Sequence, residues 1–321
     1  MNDRVDIVMA TYNGMPYIRE QLQSILWQDY SEFRLLVHDD GSNDGTVEEI
    51  RKAAECYPDK VVFIEDGITF KDAKKNFEHV LKMTEADYIF LADQDDVWLP
   101  SKVSVMVKEI CELEYTHGKT TPVLVFSDYA LIDEAGYSLS PSIKALWKID
   151  PSSRKATSLE LLLSRSIAPG CATAFNKSLL QLCLPIPKEA IMHDIWLLLM
   201  ASAVGVVKYV PFVFTLYRQH GKNTIGVKDQ KLIHKLARIL KSPAQSIGKF
   251  AAAGPGKVGQ AKALLTRLEE LHLGNSKSAR AITDYIEYRT GNIGYKLIHF
   301  PKYAVDSFTW ELARFLLWKG K

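Results

Sequence analysis

Three aspartates stand within four positions in the stretch ADQDDVW, residues 92–98: Asp93, Asp95 and Asp96. They follow the apolar run DYIFL directly, so negative charge is concentrated where a buried strand ends. Like charges held this close repel one another unless a cation relieves them. A hard divalent ion, Mg²⁺ or Mn²⁺, takes carboxylate oxygens and keeps open positions for water and phosphate. Bridging a diphosphate, such an ion would neutralise a leaving group as it departs. The plainer reading is a helix start, with Asp96 or Ser101 capping the helix after WLP and the other carboxylates solvated.

A second acidic turn, DDGSNDGT, occupies residues 39–46. As geometry it reads as a turn and a cap: Gly41 and Gly45 permit positive φ, and Thr46 or Asp44 can begin the next helix. A turn alone does not explain adjacent Asp39 and Asp40 at a strand end. A carboxylate there can accept the imide N–H of a pyrimidine base. The glycines form neither G-x-G-x-x-G nor a P-loop, which disfavours dinucleotide and P-loop chemistry.

The elements that must position these turns alternate. VDIVMA precedes a helix from about Pro16 to Gln28; FRLLVHDD precedes a helix after SNDGT; KVVFIED precedes a helix around Lys74–Thr84; DYIFLAD follows. That order predicts right-handed crossovers and a largely parallel sheet covered on both faces. Ligands bind at strand carboxyl ends in such sheets, so residues 10–14, 39–46, 65–67 and 92–96 are expected to line one crevice. From VLVFSDYALID (123–133) the pattern becomes a strand, an irregular loop and a helix near 157–165. PGCATAFNK, HDIWLLLMASAVG and VKYVPFVFTLYRQHGKN follow. From Val227 the chain reads as mostly helical, and AAAGPGKVGQ (251–260) predicts a break into two helical pieces.

With 321 residues, 47% of them hydrophobic, the chain can bury one large core or two. The net charge of +2 hides an asymmetry. Residues 1–227 carry 23 basic and 31 acidic side chains, a balance of −8, whereas residues 228–321 carry 17 and 7, a balance of +10. An acidic front and a basic back imply different partners. Cys56, Cys111, Cys171 and Cys183 show no C-x-x-C spacing and read as free buried thiols of a reducing cytoplasm. The N-terminus lacks a signal-peptide pattern, and no apolar run reaches the roughly 18 residues of a membrane span.

Taken in order, VMATYNG, HDDGSNDGT, ADQDDVW, PGCATAFNK, HDIWLLLMA and YRQHGKNTIG resemble the family-2 glycosyltransferases of the GT-A fold. The likeness is to the bacterial rhamnosyltransferase-like branch that builds surface polysaccharides, and it covers residues 4 to about 227. It implies a catalytic domain over 1–227, with a mixed, mostly parallel sheet under helices, and a basic helical region over 228–321. By that resemblance Ala10, Thr11, Tyr12 and Asp40 hold the nucleotide, with Tyr12 near the base and Ala10 replacing a more usual proline. Asn76 borders the donor site, Asp93 lies near the ribose, and Arg218 offers the diphosphate a planar fork. Asp95 is the main ligand of Mg²⁺ or Mn²⁺, and His220 completes the metal shell. Asp194 matches the catalytic base, which in an inverting transfer removes the acceptor hydroxyl proton. His193 stands where the family more often has Glu; with Gly170, Cys171 and Trp196 it is assigned to the acceptor side. Trp98 and Trp196 are candidate sugar platforms or plain core residues.

The implied reaction is an inverting, metal-dependent sugar transfer from a nucleotide-diphospho sugar, with dTDP-L-rhamnose favoured, to a saccharide or polyprenyl-diphosphate-linked saccharide. A UDP-sugar-dependent hexosyl- or N-acetylhexosaminyl-transferase of the same fold is the alternative. A non-catalytic, membrane-associated assembly scaffold is the alternative from another class. A nucleotidyltransferase is disfavoured because ATYNGMPYI lacks its Gly-rich loop with Arg and Lys. Nucleic acid is disfavoured as a partner because stacking aromatics do not accompany the basic residues. In KDQKLIHKLARIL (228–240) the apolar and basic residues fall on opposite helical faces, and FPKYAVDSFTWELARFLLWKGK follows at the end. These stretches are expected to pack on the catalytic domain, form a homodimer contact or hold the protein peripherally on the inner face of the plasma membrane.

Overall fold

A computed structural model describes residues 4–144, 150–153, 155–221 and 243–303. They divide into two compact units, the first drawn from Met1–Thr157, Ile167–Ile186 and Met192–His220. Its parallel half contains Val5–Thr11 (β1), Phe33–Asp39 (β2), Val61–Ile64 (β3) and Tyr88–Ala92 (β4), paired in the order β3-β2-β1-β4. Ile18–Leu26 (α1), Thr46–Cys56 (α2) and Ala73–Leu81 (α3) connect these strands, as the alternation predicts. β4 is buried at every residue, and β1 at all but one, so these strands read as continuous apolar runs. Asp6 is the charged exception in β1; it is buried against Arg34 at 2.9 Å and accepts the Thr84 hydroxyl at 2.5 Å.

Beyond β4 the sheet turns mixed. Val97–Trp98 (β5) leads into Lys102–His117 (α4), Val123–Ile132 (β6) and the short edge Ser138–Ser140 (β7). Later come Thr173–Asn176 (β8), Lys177–Cys183 (α6), His193–Val204 (α7) and Val206–Arg218 (β9). The sheet order is β3-β2-β1-β4-β8-β6-β9-β5, with β8 antiparallel to both neighbours, β9 parallel to β6, and β7 on β6. The core joins Ile7, Met9, Val37 and Phe90 of the sheet to Ile18, Leu22 and Ile25 of α1 and to Val103, Met106 and Ile110 of α4. Cys171 and Cys183 are buried as expected, but Cys111 is half-buried and Cys56 at the end of α2 is exposed; none of the four is in a disulfide.

The second unit gathers Ser158–Ser166, Pro187–Ile191 and Gly221–Lys321, so it takes two internal stretches that the expected division at 227 left in the catalytic domain. Leu159–Ser164 (α5) buries Leu159, Leu161, Leu162 and Leu163. Pro243–Glu270 (α8) is a single helix of 28 residues, so the break expected at 251–260 does not occur. Proline removes one backbone donor, but Val258, Ala261, Leu264 and Leu268 recur at helical spacing and are buried. Packing of that stripe outweighs the local Gly-Pro-Gly signal. Lys277–Thr290 (α9) and Ile293–Tyr303 (α10) complete the unit, with the Tyr303 ring stacked 4.8 Å from Tyr288 and edge-on to Tyr285. Residues 228–240 and 304–321, the bases of the membrane and dimer expectations, lie outside the described residues. Among the described residues no helix is long and apolar enough to cross a membrane.

The α7–β9 turn has a steric constraint. A Cβ on Gly205 would lie 2.1 Å from the carbonyl oxygen of Pro122, which itself accepts the Val206 N–H at 2.9 Å. Gly205→Ala is therefore expected to destabilise the first unit by about 1–3 kcal/mol, read as a lower urea midpoint at unchanged slope.

Candidate active site

The carboxyl ends of β1 and β2 are laced together through the acidic turn. Asp39 accepts the backbone N–H groups of Gly41 and Ser42 at 3.0 and 2.7 Å and the hydroxyls of Thr11 and Ser42 at 2.7 and 2.6 Å. Gly41 and Gly45 have φ of 88° and 97°, the left-handed backbone that the sequence predicts there. Asp44 accepts from Met15 N and Thr46 N, which ties the residue after Gly14 to the start of α2. Asn13 N donates to the Ser42 hydroxyl at 2.7 Å, and Asn43 N donates to Asn13 Oδ1 at 3.0 Å.

Gln94 extends this lacing to the third acidic turn. Its amide accepts from Tyr12 N at 2.8 Å and donates to Tyr12 O at 3.0 Å. The Tyr12 ring is left 57% exposed at the rim, a free aromatic face beside the strand ends. Asp40 is buried and accepts from Phe70 N and Asp72 N, anchoring the loop after β3. Asp66 of that loop meets His38 of β2, so all four predicted strand-end turns converge.

Asp93, Asp95 and Asp96 then divide their tasks. Asp95 Oδ2 lies 2.7 Å from His220 Nε2, which brings the two candidate metal ligands together. Asp93, Asp96 and the Cys171 thiol present ligand atoms within 4.8 Å of one another. Burial raises the Asp93 carboxyl well above the ordinary range, and the charges of Asp96, Asp95 and Asp194 add to it. Burial and the Asp95 charge push Asp96 up to about 7. Lys102 lies wholly buried beside them, with its ammonium 3.4 Å from the centre of the Trp98 ring and donating to Cys171 O and Thr215 Oγ1. Desolvation pulls this lysine down to about 7, opposed by the carboxylates.

The opposite wall comes from the Gly170–Ala172 turn and α7. Asp194 stands in the first turn of α7, where a carboxylate suits the helix dipole, and accepts the Gly170 N–H at 3.1 Å. Its charge raises Asp93, so the candidate base and the acidic turn share one electrostatic environment. Such an arrangement can hold a cation, place a phosphate near it and take a proton from a hydroxyl on the other side.

The profile of glycosyl transferase family 2 matches residues 6–181, more than half of the chain. The chain belongs to glycosyl transferase family 2. Its relatives include the glycosyltransferase EpsE of Bacillus subtilis, 29% identical over 140 residues, which are 44% of this chain and 49% of that protein. The dTDP-rhamnosyl transferase RfbG of Shigella flexneri is 36% identical over 98 residues, 30% of this chain and 34% of that one. The chain thus spans half or less of the length of these relatives. Among solved structures, S. aureus TarS 1–349 in complex with UDP-GlcNAc superposes with a TM-score of 0.55 at 16% identity, covering 94% of this chain and 89% of that one. The likeness assigns the GT-A fold, as the motif order implies.

Within this family-2 scaffold several sequence-assigned contacts prove to be supports. Arg218 is 2% exposed; its guanidinium donates to the carbonyls of Asp95, Asp133 and Glu134 and to the Glu20 carboxylate at 2.6 Å. Its fork is filled by protein oxygens, so it braces the acidic turn instead of facing a diphosphate. Asn76 is buried under the crevice, with Oδ1 2.6 Å from His38 Nδ1 and Nδ2 directed at the carbonyls of Thr11 and His38. It fixes the β1 and β2 ends and does not border an open site. Trp196 is fully buried with its indole N–H on Cys183 O, and Trp98 is 2% exposed under Lys102. Both are core residues and neither is a sugar platform. Gly170 and Cys171 are buried as well, Cys171 beneath the acidic turn. Asp96 does not cap α4; it accepts the Arg218 N–H at 3.0 Å, while Ser101 holds the cap position. Ala10 is half-buried and Thr11 buried at the β1 end.

Sequence reasoning missed Gln94, Glu20 and Lys102. Gln94 was visible inside ADQDD, and a lysine at the helix start after WLP was an available signal for a buried counter-charge. His193 is the other surprise: it is 3% exposed, stacked 3.8 Å from Phe77, and neither ring nitrogen finds a partner among the described residues. It lies too deep to touch an acceptor directly. Burial holds it neutral, its pKa pulled from 6.5 down to about 4. An unfolded chain protonates this histidine first as pH falls, so its contribution is complete above pH 6.5 and is lost toward pH 4. That loss amounts to about 3 kcal/mol at 1.36 kcal/mol per unit. His193→Phe is expected to flatten this part of the stability profile, measured by urea unfolding across the same pH range.

Proposed function

We propose that this chain is an inverting glycosyltransferase that moves a sugar from a nucleotide-diphospho donor to an acceptor hydroxyl, in the synthesis of a bacterial surface polysaccharide. The observation that carries the reading is the shared acidic environment of Asp194, on the Gly170 N–H, and Asp93. Asp194 takes the hydroxyl proton as the acceptor oxygen attacks the anomeric carbon, and the nucleotide diphosphate leaves from the opposite side. Tyr12, exposed beside the bonded β1 and β2 ends, provides the base with a stacking surface. Asp93 faces the ribose. Asp40 supports the base pocket through its grip on the loop after β3.

The residues fit a hard divalent ion. Asp95 and His220 offer an oxygen and a nitrogen 2.7 Å apart, and the neighbouring carboxyls of Asp93 and Asp96 are raised by burial and, after it, by the nearby negative charges. Mg²⁺ or Mn²⁺ held there supplies charge neutralisation to the departing diphosphate.

The donor reading is dTDP-L-rhamnose, supported by the ordered motifs and by the partial similarity to RfbG. A UDP-sugar is the second reading, favoured by the fold shared with TarS, solved with UDP-GlcNAc. The acceptor reading is a saccharide, free or polyprenyl-diphosphate-linked. The basic sequence after residue 227 supports peripheral contact with an anionic membrane, and a homodimer contact is the other use of that region.

Thermal-shift titration with dTDP-rhamnose and a panel of UDP and GDP sugars, with and without Mn²⁺, tests the donor. A metal-dependent shift with dTDP-rhamnose alone is expected; a shift with a UDP-sugar alone replaces the donor, and no shift favours the scaffold. Asp194→Asn should retain donor binding and lose roughly 10²- to 10⁴-fold in transfer rate. Near-wild-type transfer in that variant assigns the base elsewhere.

A further inference from the structure

Outside the acidic turn, His38, Asp66 and His79 converge from β2, the loop after β3 and α3. The two oxygens of one carboxylate face two imidazoles: Asp66 Oδ1 lies 3.2 Å from His38 Nε2, and Asp66 Oδ2 lies 2.6 Å from His79 Nε2. All three ligand atoms fall within 4.8 Å of one another. A tetrahedral Zn²⁺ with bonds of about 2.0–2.2 Å needs its ligand atoms roughly 3.3–3.5 Å apart, so small rotations of these side chains suffice.

The decisive feature is the far side of His38. Asn76 directs its Nδ2 toward the carbonyls of Thr11 and His38, at 3.5 and 3.4 Å, so its Oδ1 is the atom that meets His38 Nδ1 at 2.6 Å. A flipped amide would set an oxygen against two carbonyls, so the network assigns the orientation. His38 Nδ1 must then carry a hydrogen. In neutral His38 the Nε2 lone pair therefore points at a carboxylate oxygen, an arrangement that repels unless a proton or a metal ion lies between them. An N–H donated to an amide oxygen behind the ring is also the support that metal-bound histidines use to fix tautomer and orientation.

We propose that His38 Nε2, His79 Nε2 and the Asp66 carboxylate bind a borderline divalent ion of the Zn²⁺ class. Two imidazoles suit such an ion and do not suit Mg²⁺, which separates this site from the hard-ion chemistry of Asp95. His38 is 1% exposed, whereas the Asp66 side chain is 28% exposed, so the cluster is closed from below and open to an entering ion at one edge. The Phe70 ring stands 5.9 Å from His38 and 5.2 Å from His79 and walls one side. An ion here fastens the loop after β3, whose Phe70 and Asp72 amides Asp40 already holds, to both β2 and α3. The inference does not depend on the transfer reaction.

Metal-stripped full-length protein is titrated with Zn²⁺ by equilibrium dialysis in excess Mg²⁺, with Co²⁺ as a visible-absorption probe of geometry. One Zn²⁺ per chain, a melting temperature raised by Zn²⁺, and the intense visible bands of tetrahedral Co²⁺ are expected. Asp95→Asn should keep all three signals, and His79→Ala should lose them with at least a tenfold fall in affinity. Where His79→Ala melts early, His79→Gln preserves bulk without an imidazole and serves the same comparison. No Zn²⁺ uptake by the wild type in excess Mg²⁺, equal uptake by the His79 variants, or uptake lost in Asp95→Asn overturns the proposal.

Discussion

The arrangement of the first unit follows from one constraint: Asp93, Asp95, Asp96 and Asp194 must be kept near one another in a partly water-excluded space. Carboxylates resist this: burial first, and then one another's charge, raise the carboxyls of Asp93 and Asp96. The fold answers with a cation of its own. Lys102 is buried against the same group, and its desolvation is offset by a carbonyl, a hydroxyl and the face of Trp98. One ammonium cannot balance several carboxylates, so protons or further cations must share the load. A site of this kind is assembled at a cost in stability and recovers it when a positively charged ligand binds.

That constraint also explains why so many polar side chains around the crevice turn inward. Gln94 binds both backbone groups of Tyr12, Arg218 collects three carbonyls and a carboxylate, and Asn76 spans two strand ends. Each brace fixes backbone that would otherwise spread under charge repulsion. From sequence the same residues are natural ligand contacts, because a planar guanidinium suits carbonyl oxygens as well as phosphate. Residue type and spacing identify the chemistry available at a position but not the partner that consumes it.

The strand-end turns, the parallel half of the sheet and the meeting of Asp95 with His220 were legible because local signals and ligand placement agree there. The alternation of apolar runs and helical patterns sets the crossovers, and the crossovers set which strand ends converge. Burial at distance was not legible. Trp196, Trp98 and His193 lie close to site residues in sequence, and only the packing of α4 and α7 shows that they face the core. The long helix from Pro243 failed for a related reason: Gly-Pro-Gly is a strong local signal, but Val258, Ala261, Leu264 and Leu268 bury a continuous stripe beyond it.

The two histidine positions illustrate how burial alone does not define a role. His193 is buried with both nitrogens unpartnered among the described residues, and its neutral ring behaves as an aromatic plate on Phe77. His38 is buried equally deeply, yet one nitrogen is committed to Asn76 and the other aims at Asp66. The first environment excludes charge, as its pKa near 4 reflects; the second is built around it. The difference comes from what surrounds each ring. At His193 desolvation outweighs the opposing charge of Asp194, whereas at His38 a carboxylate opposite the Nε2 lone pair leaves a place that a proton or a metal can fill. Reading a buried histidine therefore requires following both nitrogens to their partners before assigning it to core, catalysis or coordination.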